Sequence, residues 1–281
     1  MRVAIVGAGA VGGFLGTRLA QAGGCELSAL ARGATLEALN RHGWRMDTAA
    51  GRVSAPARAS DQAKDLGVQD VVFFTVKGPA MAQAAESARA LIGSQTLVVP
   101  AMNGVPWWFC AGVEGMGSEP LESVDPGGLI SKAIQVEQVL ACVVYASTST
   151  SEPGLVQHKM GQGLIVGEPF GGHSDRAQRV TDLLLQAGFE ATHSERIRYD
   201  IWYKLWGNLT MNPVSAITGA TTDKVLGDPL VREFCSAAMR EASAVGARIG
   251  CAIDQQAEDR HAVTAKWGAF KTSMLQDAEA G

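Results

Sequence analysis

An excess of positive charge is missing from this chain: 24 lysines and arginines stand against 28 aspartates and glutamates in 281 residues, a formal net charge of −4. Without a basic footprint, nucleic acid and an anionic membrane surface are not expected partners, and attraction for an anionic ligand must be local. No run reaches the ~18 apolar residues of a membrane-spanning helix. The first expected strand begins at residue 2, which leaves no room for a charged and apolar leader, so a cytoplasmic location is expected. Cysteine is scarce. Cys25, Cys110, Cys142, Cys235 and Cys251 are odd in number and lack C-x-x-C spacing, which predicts reduced, mostly buried thiols rather than a disulfide framework. The five histidines form no H-x-x-x-H pair, and no metal is expected.

Glycine is plentiful, with 33 residues in the chain. A G-x-G-x-x-G spacing alone therefore carries little weight, and its context has to decide. Gly7, Gly9 and Gly12 follow directly on an apolar strand that starts the chain, and Phe14 to Ala22 behind them reads as helix. In that setting Gly7 permits the tight turn, Gly9 lets backbone approach a pyrophosphate, and Gly12 lets the helix lie close on the sheet. Gly7, Ala8, Gly9, Ala10, Val11 and Gly12 are thus expected to hold a dinucleotide at the N-terminus of a helix.

The second strand, Cys25 to Ala31, is followed by Arg32 where an NAD site usually carries an acid for the ribose 2′-hydroxyl. An arginine there suits the 2′-phosphate of NADP instead. Lys77 ends another apolar strand, Asp70 to Val76, and the carboxyl ends of strands line the ligand crevice in open α/β sheets. Each cation alone is commonly a solvated surface charge; together, beside a glycine loop, they favour NADP(H) as the cofactor.

Strand and helix alternate to about residue 193. A helix is expected near Thr35 to Asn40 and a hairpin around Ala49-Ala50-Gly51. A helix over Pro79 to Ile92, strands over Gln95 to Pro100 and Val139 to Ala146, and short extended pieces at Leu155 to His158 and Gly163 to Gly167 follow. A helix over Asp175 to Gln186 and a strand over Phe189 to His193 complete the pattern, with a surface loop between Gly112 and Gly128. Such alternation implies a Rossmann-type, doubly wound, mostly parallel sheet. Beyond residue 195 only helical patterns remain: Arg196 to Met211, stopped by Asn212-Pro213, then Asp228 to Ile249 and Asp254 to Phe270. The expected class is therefore α/β with a second, all-helical C-terminal domain, divided as 1–194 and 195–281. The cleft between the two is the expected place for a substrate to meet a nicotinamide.

The first helix of the second domain carries Lys204, Asn208 and Asn212 at i, i+4 and i+8, one narrow face at 3.6 residues per turn. Trp202, Leu205, Trp206 and Leu209 surround them with apolar bulk. Asparagine is a mediocre helix former, so two on one stripe with a lysine suggest function, although a solvated helix face is the plain alternative.

Taken in order, Gly7-Ala-Gly-Ala-Val-Gly12, Thr75-Val-Lys77, Asn103-Gly-Val105, Lys204-Leu-Trp-Gly-Asn-Leu-Thr-Met-Asn-Pro213 and Ser273-Met-Leu-Gln-Asp277 resemble the ketopantoate reductase (2-dehydropantoate 2-reductase) family over nearly the whole chain. The resemblance implies a Rossmann-type domain followed by a helical one, and reduction of a 2-oxo acid, most simply 2-dehydropantoate, by NADPH in pantothenate biosynthesis. It implies Lys204 as proton donor, with burial bringing its pKa down from about 10.4 toward the operating pH. It implies Asn103 between nicotinamide and substrate, Asn208 and Asn212 orienting the substrate, and Ser273 on its carboxylate. Two departures stand out. The family continues into a site glutamate and a further helical stretch, so the 195–281 domain is expected to be incomplete at its C-terminus; Glu279 lies too close to Asp277 to replace that glutamate. Pro106-Trp107-Trp108-Phe109 stands where a polar helix start is usual, and either reshapes the pocket for another 2-oxo acid or packs. Other dehydrogenases of the 6-phosphogluconate or opine classes, and an NADPH sensor without turnover, are the competing readings. Aromatics and methionines in the helical domain make a homodimer an expectation.

Overall fold

The computed structural model describes residues 1–117 and 119–280. Ser118, inside the expected surface loop, and Gly281, the last residue of the expected second domain, lie outside the described residues. The chain divides into two compact units, one of Met1–Gly112 with Met116–Ile197, the other of Val113–Gly115 with the residues from Arg198 onward.

The first unit runs β1 (Arg2–Val6), α1 (Ala10–Ala22), β2 (Glu26–Leu30), α2 (Gly33–His42), β3 (Trp44–Thr48), β4 (Gly51–Ala55), β5 (Ala59–Ser60), α3 (Ala63–Leu66), β6 (Val71–Phe74), α4 (Met81–Ser87), β7 (Leu97–Pro100), α5 (Leu129–Ala133), β8 (Ala141–Glu152), β9 (Leu155–Gly167), α6 (Asp175–Gln186) and β10 (Glu190–Ser194). Strands β5-β2-β1-β6-β7 form a parallel sheet in that order, with Val6 opposite both Leu30 and Phe74, and Phe74 opposite Pro100. Val3 to Val6 and Val71 to Phe74 are buried, as continuous apolar runs covered on both faces should be. Parallel bridges from Val98 to Val139 and Ala101 to Cys142 carry the pairing on toward β8. The Rossmann-type parallel sheet expected from the alternating pattern is present.

The second sheet is built on β9. Antiparallel β8 runs along one edge, while β3 and β10 lie parallel to the other, opposite Leu155–Gln157 and Gly163–Gly167 respectively. The two short extended pieces expected at 155–158 and 163–167 are therefore one strand. Gly161, with φ of +73°, faces the Tyr145 carbonyl where the register slips between Tyr145 and Ser147, so the glycines that read as an interruption mark a β-bulge. The helix expected over Pro79 to Ile92 is cut into a 3-10 turn, the short α4 and a second 3-10 turn. Helix α1 joins the two sheets, and its small residues set the approach. A Cβ on Gly13 would run into the Val156 side chain, and one on Gly16 into the Trp44 ring.

The second unit is helical: α7 (Ile197–Thr218), α8 (Thr222–Gly227), α9 (Pro229–Arg248), α10 (Ala257–Ala265) and α11 (Ser273–Ala280). Asn212-Pro213 does not end the first of these; Pro213 lies inside α7, which continues to Thr218. An internal proline removes one hydrogen bond and costs roughly 3 kcal/mol. The extra turn offsets that cost by packing. Ser215 is fully buried, and Met211 and Val214 join a cluster with Val225 and Cys235. Ser215 Oγ donates to the Ala220 carbonyl at 2.6 Å, and Gly219 leaves the helix at a φ of +70°. The last expected helix, Asp254 to Phe270, is shorter in the structure, and α8 and α11 had no counterpart in the periodicity.

Candidate functional site

In the first unit the register of the parallel sheet brings the expected cofactor residues into one row. Gly7 directly follows Val6, Arg32 lies just past Leu30, Lys77 past Phe74 and Asn103 past Pro100, so all of them leave the carboxyl edge of the same sheet. The Gly7 amide donates to the Leu30 carbonyl at 3.1 Å. Its φ is +90°, and a Cβ there would lie 2.5 Å from the Val76 side chain, so only glycine suits the turn. Gly12 is closed in by the Gly7 carbonyl oxygen and the Thr75 hydroxyl, which is the close approach of helix to strand that the spacing predicts. Gly9 is exposed, and a Cβ added to it would meet no atom within 4 Å. Ala8 is buried, while Ala10 and Val11 are half-buried at the start of α1.

That helix start has the chemistry of an anion site. Gly9 is its N-cap, with no side-chain cap hydrogen bond and no acidic residue in the first turn. Its leading amides therefore lack the side-chain acceptors that usually satisfy them, and they sum to a partial positive charge. Thr75, which the sequence marks only as part of a motif, ties the loop down: its Oγ1 donates to the Gly7 carbonyl at 2.6 Å, with the Val6 carbonyl at 3.1 Å. Arg32 is exposed at the N-cap of α2 and forms no ion pair among the described residues. Lys77 and Asn103 are exposed as well. Trp107, Trp108 and Phe109 are between 1% and 7% exposed.

In the second unit Lys204, Asn208 and Asn212 stand half-buried along α7. The opposite side of the helix is fixed to α9 by two indoles, Trp206 donating to the Met239 carbonyl at 2.8 Å and Trp202 to the Ala242 carbonyl at 3.3 Å. Gly246 makes room for the second of these, since its Cβ would overlap Trp202. Buried indole anchors hold the rotation of α7 about its axis and hence the direction of the polar stripe. Asn212 Nδ2 donates to Ser273 Oγ at 3.4 Å, so two expected substrate residues far apart in the chain meet in space. Thr272 starts the helix that presents Ser273, its Oγ1 accepting from the Leu275 amide at 3.2 Å. Glu279 is held by Lys271 at 2.6 Å.

One side chain in this unit was not foreseen. Arg260 on α10 lies over the Tyr203 ring, 5.3 Å from its centroid, and against Gly207 of α7. Nothing in the local sequence around Arg260 signals a contact made with a helix so much earlier in the chain.

Comparison with known proteins agrees with this layout. The model of the ketopantoate reductase PanE/ApbA family matches residues 3–171, and that of the ketopantoate reductase PanE/ApbA C-terminal region matches residues 196–281. A 2-dehydropantoate 2-reductase of Mesorhizobium japonicum is 40% identical over all of this chain and 86% of its own length. One of Archaeoglobus fulgidus is 30% identical over all of this chain and 85% of its own length. A structure from Ralstonia solanacearum MolK2, solved as a candidate ketopantoate reductase, superposes with a TM-score of 0.95 at 52% identity, covering all of this chain and 86% of that one. With both domain models matched and a relative 40% identical over the whole of this chain, the chain belongs to the ketopantoate reductase family of oxidoreductases.

Proposed function

We propose that this protein reduces 2-dehydropantoate to pantoate with NADPH. The observation that carries the substrate is the match over all of this chain, at 40% identity, to a relative named for that reaction. The preference for NADPH over NADH rests on Arg32, an exposed guanidinium just past β2 where an acid would suit a free ribose hydroxyl. The loop fits a dinucleotide: its cradle excludes a Cβ at Gly7 and Gly12, leaves Gly9 open, and ends on the uncapped amides of α1. Gly7 to Gly12 would hold the pyrophosphate, Arg32 the 2′-phosphate, and Lys77 and Asn103 the remainder of the cofactor.

When bound, the reduced nicotinamide supplies a hydride to C2 of the 2-oxo acid. Lys204 acts on the oxygen at that carbon. Its ammonium offsets the negative charge that develops there and then donates the proton that completes the hydroxyl, to be reprotonated from solvent. Asn208, Asn212 and Ser273 bind and orient the substrate, the last two as a hydrogen-bonded pair. Asn103 orients nicotinamide and substrate toward each other. A homodimer is part of the same reading, supported by Ile217, Leu230 and Phe234, which are 84%, 84% and 61% exposed.

Lys204→Ala tests the mechanism. It should lower kcat by roughly 10²- to 10⁴-fold while leaving NADPH affinity unchanged. Undiminished turnover removes Lys204 from the chemistry.

A further inference from the structure

Lys204, Gly207 and Asn208 fall at i, i+3 and i+4, so they are neighbours on the surface of α7. Gly207 is bare for a reason visible in the structure. A Cβ there would lie 2.5 Å from Arg260 Nε, 2.8 Å from Nη2 and 3.0 Å from Cζ, so the guanidinium rests on the helix backbone itself. Tyr203 supplies the second wall, 5.3 Å from ring centroid to Cζ, and its hydroxyl is held by Gln255 Oε1 at 2.9 Å. The guanidinium is thus bounded on two sides, yet its Nε is buried without an acceptor and it forms no ion pair among the described residues.

A guanidinium does not lose its proton, and a half-buried one without an anion is costly unless an anion arrives. The site on this face needs such a cation. Lys204 is committed to the carbonyl oxygen, and Asn208, Asn212 and Ser273 offer only neutral groups, while every 2-oxo acid carries a carboxylate bonded directly to the reacting carbon. Fork-shaped donors match carboxylates in two-point fashion.

We propose that Arg260, laid on Gly207 and the Tyr203 ring beside Lys204 and Asn208, provides the positive charge that binds the substrate carboxylate. The assignment rests on the function proposed above. It also gives Gly207 a role, since an added methyl meets the flexible end of Arg260 and displaces the guanidinium rather than the helix.

The test compares wild type, Arg260→Gln and Gly207→Ala on 2-dehydropantoate and on its uncharged primary amide, with melting temperature and NADPH affinity measured alongside. Arg260→Gln should raise KM for the acid roughly 10- to 100-fold, leave kcat within about threefold, and leave KM for the amide unchanged. Gly207→Ala should show the same loss of preference for the acid with a melting temperature equal to or above wild type, because alanine is the better helix former. An unchanged KM for the acid in Arg260→Gln, or an equal rise for acid and amide, overturns the proposal. Calorimetric titration with pantoate reads the same contact without turnover. If wild type turns over no 2-oxo acid but binds pantoate, and Arg260→Gln weakens that binding at least tenfold, the proposed reaction fails while the arginine assignment stands. Equal pantoate binding by the two, or none by wild type, overturns the assignment.

Discussion

Gly9 and Gly12 belong to one motif, yet the structure gives them separate tasks, and replacing each by alanine distinguishes them. At Gly12 a Cβ meets the Gly7 carbonyl oxygen and the Thr75 hydroxyl, and comes within 3.0 Å of Ile5 Cγ2. The backbone carbonyl cannot step aside, so α1 must lift from β1. Overpacking of this kind costs about 1–3 kcal/mol. Disturbing the 2.6 Å hydrogen bond from Thr75 to Gly7 adds about 1 kcal/mol. The better helix propensity of alanine returns about 1 kcal/mol. Gly12→Ala should therefore lose roughly 2 kcal/mol, seen as a fall of roughly 4–8 °C in the melting temperature of a unit of this size. Gly9→Ala meets no atom within 4 Å at its φ of −78°, so its stability should fall by no more than about 1 kcal/mol, the preference of an N-cap for glycine over alanine. Its methyl group instead occupies the open space above the helix N-terminus, and NADPH affinity should fall about tenfold or more. Thermal melts without ligand and calorimetric titration with NADPH separate the two effects. A Gly12→Ala protein that melts like wild type, or a Gly9→Ala protein that binds NADPH as tightly as wild type, refutes the reasoning.

Arg32→Ala should weaken NADPH by roughly 10- to 100-fold and NADH by less than about threefold, since only NADPH offers a 2′-phosphate to the guanidinium; equal weakening of both in a binding titration discards that contact. Stability should also depend on pH through two histidines. Burial holds His261 below the ordinary imidazole value of 6.5, with Glu258 opposing and Arg232 adding to the effect, and Ser236 Oγ lies 3.0 Å from its Nε2. Burial and the neighbouring His173 ring, whose centroid is 4.6 Å away, lower His193 in the same direction, against Glu168 and Glu195. The unfolded chain then takes up protons first as pH falls below about 6.5, so the stability these groups contribute is present above that value and lost as pH drops toward their folded values. Melting temperature should fall between pH 7 and pH 5, and His261→Asn should flatten part of that slope; an unchanged slope shows that His261 is not responsible.

Features that depend on local physics were legible from the residues alone. The helix over Asp175–Gln186 was bounded correctly because its apolar spacing is regular and Ser174 caps it, accepting from the Ala177 amide at 3.1 Å. The glycine loop was legible because Gly7 answers the turn's need for a positive φ and Gly12 the close approach of helix to strand. The stripe of Lys204, Asn208 and Asn212 followed from helical spacing. What escaped the sequence depends on partners distant in the chain. Pro213 looks like a helix end until the burial of Ser215 and Met211 is known, and Gly161 looks like a break until Tyr145 is seen across the bulge. The Asn212 to Ser273 contact and the seat of Arg260 on Gly207 both require α10 and α11 to be placed against α7, which no local pattern encodes.

The roles proposed for Lys204, Asn103, Asn208, Asn212 and Ser273 turn on the reaction itself, and the decisive observation is loss of NADPH absorbance on adding 2-dehydropantoate. Steady turnover to pantoate is expected, faster with NADPH than with NADH and faster than with a panel of other 2-oxo acids. Tight NADPH binding with no oxidation on adding 2-dehydropantoate contradicts it.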